Sequence, residues 1–320
     1  MRPNPFFEGS GADQPRLAAG LMLAALMTLA LQDALVRIAA PETSIWLFQL
    51  IRSSGNLVLI LLLARLIWGG LPQRPKRLWA VAARSFCLVA AMICFFGGVQ
   101  YLTLPEMAAG LYTFPIFVTL LSALILREPV GPRRIAAVAV GAAGAVLILQ
   151  PGAADFSPIK LLPVLAGIGY AGVVILTRRW CREESPVTLA LGVALALGGT
   201  GLVGTVGLTL APLPEATRAA LPYLATGWVA PTAALIALAL ICSVLNLASN
   251  IALAKAYQSA ESSWLAPFDY SYLIFATFWG WAIFGDLPDG WMLLGMALIA
   301  GAGIFTALRE ARVRAHPPPP

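Results

Sequence analysis

Apolar runs long enough to cross a lipid bilayer return along the whole chain. The stretch "PVTLALGVALALGGTGLVGTVGLTLAPLP", Pro186–Pro214, holds no charged residue, and "FPIFVTLLSALIL", Phe114–Leu126, holds none either. A run of 18 or more such residues in a helix spans a hydrocarbon core of roughly 30 Å. Hydrophobic residues make up 59% of the sequence and charged ones 11%. A water-soluble domain carries about 25% charge, so this chain lacks the polar residues to clothe a surface in water. Its surface faces lipid, and its spans are helices, because a helix satisfies its own backbone hydrogen bonds there.

Ten spans are predicted, over residues 17–38, 45–67, 79–100, 106–126, 133–150, 159–179, 187–210, 230–255, 263–284 and 290–308. The first is full length, so it is a retained span and not a cleaved leader. The net charge of +6 does not imply nucleic acid, since the basic residues sit between apolar runs and form no stripe. Loop Lys and Arg instead orient the protein. With a cytoplasmic N-terminus, only Arg37, Lys160 and Arg218 fall in outer segments, and Arg52 and Arg84 lie within spans. Every other Lys and Arg is cytoplasmic, which places both termini inside. The Pro- and Gly-rich start, residues 1–15, and the tail, residues 309–320, read as disordered. The cysteines Cys87, Cys94, Cys181 and Cys242 form no CxxC pair, so neither a disulfide nor a metal site is expected.

The chain also repeats itself. At an offset of 158, Gln100 meets Gln258, Tyr112 meets Tyr270, Thr113 meets Ser271, and Glu128 meets Asp286. Nearer the start of each half, Leu35, Arg37, Glu42 and Ser44 meet Leu176, Arg178, Glu183 and Ser185 at an offset of 141. A Pro-rich segment around Ala211–Gly227 takes up the difference. The predicted fold is therefore all-α, with a first five-span repeat over residues 16–152 and a second over residues 153–308. Five is odd, so the second copy enters the membrane from the opposite side. The result is an inverted-topology repeat around a central cavity, a plan that recurs in secondary transporters. Pro115 and Pro267 each sit inside a span and are predicted to kink it, either as part of the cavity wall or for packing alone.

Two stretches carry a family resemblance: "FPIFVTLLSALILREPVGPRRIAAVAVGAAGAVLIL" and "YLIFATFWGWAIFGDLPDGWMLLGMALIAGAGIF", apolar hairpins with an acid at the turn. Over residues 16–310 the chain resembles the EamA family of the drug/metabolite transporter superfamily. The family commonly has Gly-Glu at that turn, where this chain has Arg127–Glu128 and Gly285–Asp286. The opening "LQDALVRIAA…FQLIRS" is similar to a bacterial branch that includes proposed carriers of riboflavin and of S-adenosylmethionine; other members export amino acids. The resemblance implies ten helices and alternating access in a bacterial inner membrane.

Ionisable groups inside spans are costly and therefore functional candidates. Arg52 lies ~12 Å into the second span at 1.5 Å per residue. Asp33, at a similar depth in the first span, is a partner for it, either for recognition and gating or for packing. Asp269, in "APFDYSY", suits a cationic amine or a proton. Asn246 and Asn250 share a face with Ser243, for cavity lining or helix joining. Tyr112 and Tyr270, with Tyr101, Trp264 and Tyr272, offer stacking surfaces to a ring-bearing substrate, or serve packing and the interface belt. Arg84 is expected to snorkel and Glu106 to be exposed. The glycines at 198, 201, 204 and 207 read as helix packing, because no GxxxxGK[ST] phosphate loop exists.

The leading expectation is a secondary transporter, not an enzyme, that exports an amino acid or related metabolite. Import of a riboflavin- or S-adenosylmethionine-type metabolite is the alternative. An intramembrane enzyme is the remaining class, and the only histidine, His316, lies in the tail. The implied partners are a small-molecule substrate and the bilayer, without metal or cofactor.

Overall fold

A computed structural model describes residues 14–67, 74–127, 131–150, 156–260 and 262–315. Fourteen α-helices and no strand occur among them. They are α1 Pro15–Ala39, α2 Ile45–Ile67, α3 Leu78–Gly97, α4 Leu104–Leu111, α5 Phe114–Leu121, α6 Pro132–Leu149 and α7 Leu162–Trp180. The second part holds α8 Pro186–Leu210, α9 Glu215–Ala220, α10 Pro222–Ala225, α11 Ala233–Ser259, α12 Ser262–Asp269, α13 Ser271–Trp279 and α14 Gly290–Ala315. Several long helices open with proline in the first turn, where its missing N–H has no partner to lose.

Among the described residues, seven helical stretches are long and apolar enough to cross a membrane, Pro15–Glu42, Leu104–Leu126 and Ala233–Tyr257 being three of them. Of the other three expected spans, those at 133–150 and 290–308 are α6 and α14, whose apolar parts are the shorter Ile135–Leu149 and Gly290–Thr306. The span at 263–284 is divided between α12, α13 and a π turn. Phe86, Val203 and Leu124 are each more than 70% exposed. That outer surface suits acyl chains and not water.

Helix α14 runs on to Ala315, past the tail boundary expected at Arg309. The segment "LREARVRA" is rich in strong helix formers and carries the helix onward. Residues 1–13 and 316–320, also expected to be disordered, lie outside the described residues, as does Glu128.

The two spans with internal prolines are interrupted. Helix α4 stops at Leu111, Tyr112 and Thr113 form a turn, and α5 begins at Phe114. Pro115 lacks the N–H that the Leu111 carbonyl would accept in a continuous helix, so the helix ends and restarts with Pro115 in its first turn. The expected mid-helix kink at Pro115 is thus a break ahead of it. Pro267 remains inside α12. The second half breaks at Tyr270 without an aligned proline, since Leu273 stands where Pro115 stands in the first.

Helix boundaries keep the two offsets read from sequence. The α4 bounds shift by 158 onto those of α12, and the π turn Ser122–Leu126 onto the π turn Gly280–Phe284. After each π turn comes one left-handed residue, Arg127 at φ 56° and Gly285 at φ 74°. The starts of α2 and α8 and the ends of α1 and α7 differ by 141. The extra length falls between α8 and α11, where α9 and α10 lie.

Packing follows the same exchange. Helix α1 packs on α11, α12 and α13, as α7 packs on α3, α4 and α5. Helices α2 and α8 pack on each other, as do α6 and α14. Gly144 and Gly295 let the last pair approach to backbone contact: a methyl added to either would lie 2.7 Å from the other's carbonyl oxygen. Gly201 brings α8 equally close to the Trp46 carbonyl of α2, in line with the packing role read for that glycine series; Gly207 faces open space.

Candidate functional site

The two helix breaks bring tyrosines together. Tyr112 ends α4 and Tyr270 precedes α13. The Tyr112 ring stacks on Tyr272 with centroids 5.3 Å apart and planes 13° apart. Tyr270 meets the edge of Tyr112 at 5.5 Å, and Phe114 does so at 5.8 Å. The broken backbone is satisfied from within the cluster, as lipid surroundings demand. Tyr112 Oη donates to the Asp269 carbonyl at 2.9 Å, next to the second break. Thr113 Oγ1 donates to the Gly110 carbonyl, and its equivalent Ser271 Oγ donates to the Phe268 carbonyl, both at 2.6 Å. Tyr112, Tyr270 and Tyr272 are all buried. Beside Tyr112 and Pro115, a cleft walled by Ile116, Thr119, Gly141 and Gly303 offers only ≈ 20 Å³ of free space. That is far below the roughly 300–1,000 Å³ of a typical ligand pocket, so the rings are closed on one another here.

A charged group adjoins the rings. Asp33 of α1 is buried and accepts a hydrogen bond from Tyr272 Oη. Arg52 of α2 is 3% exposed and holds its guanidinium 5.5 Å over the Phe96 ring. The charges of Asp33 and Arg52 interact, yet among the described residues they form no direct ion pair. Gln32 stands between them. With its amide turned to suit its neighbours, its oxygen accepts from Arg52 Nη1 at 3.1 Å and its nitrogen donates to the Cys242 carbonyl at 3.2 Å. Ser243 Oγ fixes the Arg52 backbone carbonyl at 2.8 Å, tying α11 to α2. Outside the spans, Tyr223 of α10 closes over this region; burial pushes its phenol up against the opposing pull of Arg52.

The other residues singled out from sequence lie at varying distances from this centre. Asn246 Nδ2 is 3.2 Å from a Gln32 amide atom. Asn250 is exposed, and its Nδ2 donates to the Asn246 carbonyl at 2.7 Å. Asp269 is half-buried, and its charge is felt at the hydroxyls of Tyr112, Tyr170, Tyr257 and Tyr270. Its carboxylate has no hydrogen-bond or ion partner among the described residues. Tyr101 points away and bonds the Ala220 carbonyl. The Trp264 side chain is not among those described. Arg84 Nε donates to Thr177 Oγ1 of α7 at 2.8 Å. One expectation changes. Glu106 is not exposed: it closes a capping box with Thr103 and pairs with Lys160 at 3.5 Å, because an acid in the first turn meets the orphan N–H groups of α4.

Sequence reasoning missed Gln32 and three polar neighbours of Arg52: Gln49, Ser53 and Asn56. The signal was present, since 49, 52, 53 and 56 stand at helical i, i+3, i+4 and i+7 spacing within an apolar run.

A family model described as the EamA-like transporter family matches residues 16–150. A riboflavin transporter of Vibrio cholerae is 31% identical over 300 residues, 92% of this chain and 92% of its own. A riboflavin transporter of Rhizobium johnstonii is 30% identical over 239 residues, 75% of this chain and 73% of its own. An S-adenosylmethionine uptake transporter of Rickettsia bellii is 26% identical over 201 residues, 63% of this chain and 62% of its own. A protein of known crystal structure superposes with a TM-score of 0.60 at 17% identity, over 94% of this chain and 99% of its own, which speaks for a shared fold alone.

Proposed function

The chain belongs to the EamA-like transporter family, and from that membership we propose that it takes up a planar, ring-bearing metabolite of the riboflavin kind across a bacterial inner membrane. The observation that carries this reading is the buried stack of Tyr112 on Tyr272, with Tyr270 at its edge and Asp33 hydrogen-bonded behind it. Aromatic faces hold flat rings, and polar groups at one end orient them. Two relatives similar over most of this chain bear the name of riboflavin transporter. Export of an amino acid, the first reading of the sequence, has no comparable support.

Transport proceeds by alternating access in this proposal. Ten spans form two five-helix repeats of inverted topology, and the tyrosine layer lies between them. Helix boundaries that coincide at offsets of 141 and 158, and packing that survives exchange of the halves, support it. Both termini are cytoplasmic.

Uptake of riboflavin into proteoliposomes, followed by flavin fluorescence without ATP, tests the function. Saturable accumulation above empty vesicles is expected. Stacking is worth ~1–3 kcal/mol per ring, so Tyr112→Leu is expected to raise KM about 10-fold. No accumulation by the unmodified protein ends the proposal. A second reading rests on Asp269: an acid without a partner, among tyrosines, also suits the sulfonium of S-adenosylmethionine. Competition of that compound against flavin uptake, lost in Asp269→Asn, distinguishes the two.

A further inference from the structure

The inner face of α2 holds polar atoms that no described residue satisfies. Both amide atoms of Gln49, Nε of Arg52, Oγ of Ser53 and Oδ1 of Asn56 are buried without a hydrogen-bond partner among the described residues. Gln49 is 5% exposed, Arg52 3% and Ser53 2%. At 3.6 residues per turn the four share one arc of the helix. Other hydroxyls of the apolar helices satisfy themselves on the carbonyl four residues back, as Ser54, Thr28, Thr200 and Thr277 do. Ser85, Ser122, Thr205 and Ser249 also lack a partner among the described residues, but they fall one to an element, whereas α2 gathers four such side chains on one arc. A glutamine amide with both ends idle costs about 1–3 kcal/mol per unsatisfied group. Leucine at the same place would cost nothing of the kind. Polar groups kept inside spans at that cost mark substrate pathways.

We infer that the Gln49–Arg52–Asn56 face of α2 is the hydrogen-bonding half of the substrate site, and that it reads the carbonyl–NH–carbonyl edge of a planar imide. The inference rests on the uptake of a flavin-type ring proposed above. A carboxamide offers an acceptor and a donor side by side, which matches an imide N–H and its adjacent carbonyl. Arg52 Nε–H supplies a donor for the second carbonyl. The face is joined to the rings: Arg52 bonds Gln32, the neighbouring Asp33 bonds Tyr272, and Tyr272 stacks on Tyr112. A flat ring held by the tyrosines thus turns its polar edge toward α2.

Riboflavin and 3-methylriboflavin, which lacks the imide N–H, are the probes, with the full chain in proteoliposomes. Unmodified protein is expected to bind riboflavin about 10-fold or more tightly than the methylated ring. Gln49→Leu is expected to weaken riboflavin binding about 10-fold and to abolish the preference, while the ligand-free protein melts at the same or a higher temperature. Asn56→Ala is expected to narrow the preference in the same sense. Equal binding of the two flavins by unmodified protein overturns the inference and leaves flavin uptake standing. An unchanged preference in Gln49→Leu, with a lowered melting temperature, does the same and assigns the amide to packing. Failure of unmodified protein to bind either flavin removes both the inference and the function beneath it.

Discussion

At the scale of single residues, the centre is held by hydrogen bonds that cross the chain. Tyr272 and Asp33 are separated by 239 residues, and no local pattern links them. The sequence exposed each as unusual, an acid inside a span and a tyrosine near a break, but their pairing is a product of α13 packing on α1. Tyr272→Phe keeps the ring on Tyr112 and removes the bond to a buried carboxylate. The expected result is a loss of about 1–3 kcal/mol in thermal unfolding, with flavin affinity less affected than in Tyr112→Leu. Arg52 and Asp33 were legible because charge in an apolar run stands out. Gln32 and Gln49 were not, because an uncharged amide hardly disturbs such a run, and their burial without partners is visible only once neighbouring helices are in place. Gly303 was hidden for a similar reason. The Tyr270 ring fills the space where its side chain would begin, so Gly303→Ala is expected to displace Tyr270 and lower flavin affinity in a fluorescence-quenching titration.

At the scale of elements, the informative features are interruptions. Pro115 announced a disturbed helix in the sequence, and the disturbance is there, three residues ahead of the proline, because the lost N–H belongs to the bond back to Leu111. The second break was less legible, since Leu273 gives no such warning. Each broken span then ends in a π turn capped by a left-handed residue. Gly285 adopts that conformation freely, whereas Arg127 does so at a cost of roughly 1–2 kcal/mol. Arg127→Gly is therefore expected to stabilise the protein by about 1 kcal/mol, read as a raised melting temperature in detergent. A lowered melting temperature would mean that the Arg127 side chain contributes more than its backbone loses.

At the scale of the whole molecule, two versions of one packing scheme meet across α2–α8 and α6–α14, and their charges differ by side. Arg37 pairs with Asp286 just beyond the second π turn and lies over Phe284 at 4.2 Å. Lys160 and Glu106 pair near the start of α4. At the other end, Lys76 pairs with Glu183, and Arg179 bonds the Ile125 carbonyl beside the first π turn. The exchange of α1 with α7 and of α5 with α13 makes the Arg127 and Gly285 turns equivalent in the fold. In the proposed arrangement each half holds five spans, and an odd number requires that these equivalent turns open to opposite sides of the membrane. The four native cysteines are free, so they can be replaced and single probes introduced as Arg127→Cys and Gly285→Cys. A maleimide that does not cross membranes is expected to label Gly285→Cys in spheroplasts, and Arg127→Cys only in inverted vesicles. Labelling of both from one side would mean that the halves run parallel. The substrate would then have no pair of mirrored entrances, and a single layer of tyrosines between the halves could not be reached alternately from the two faces.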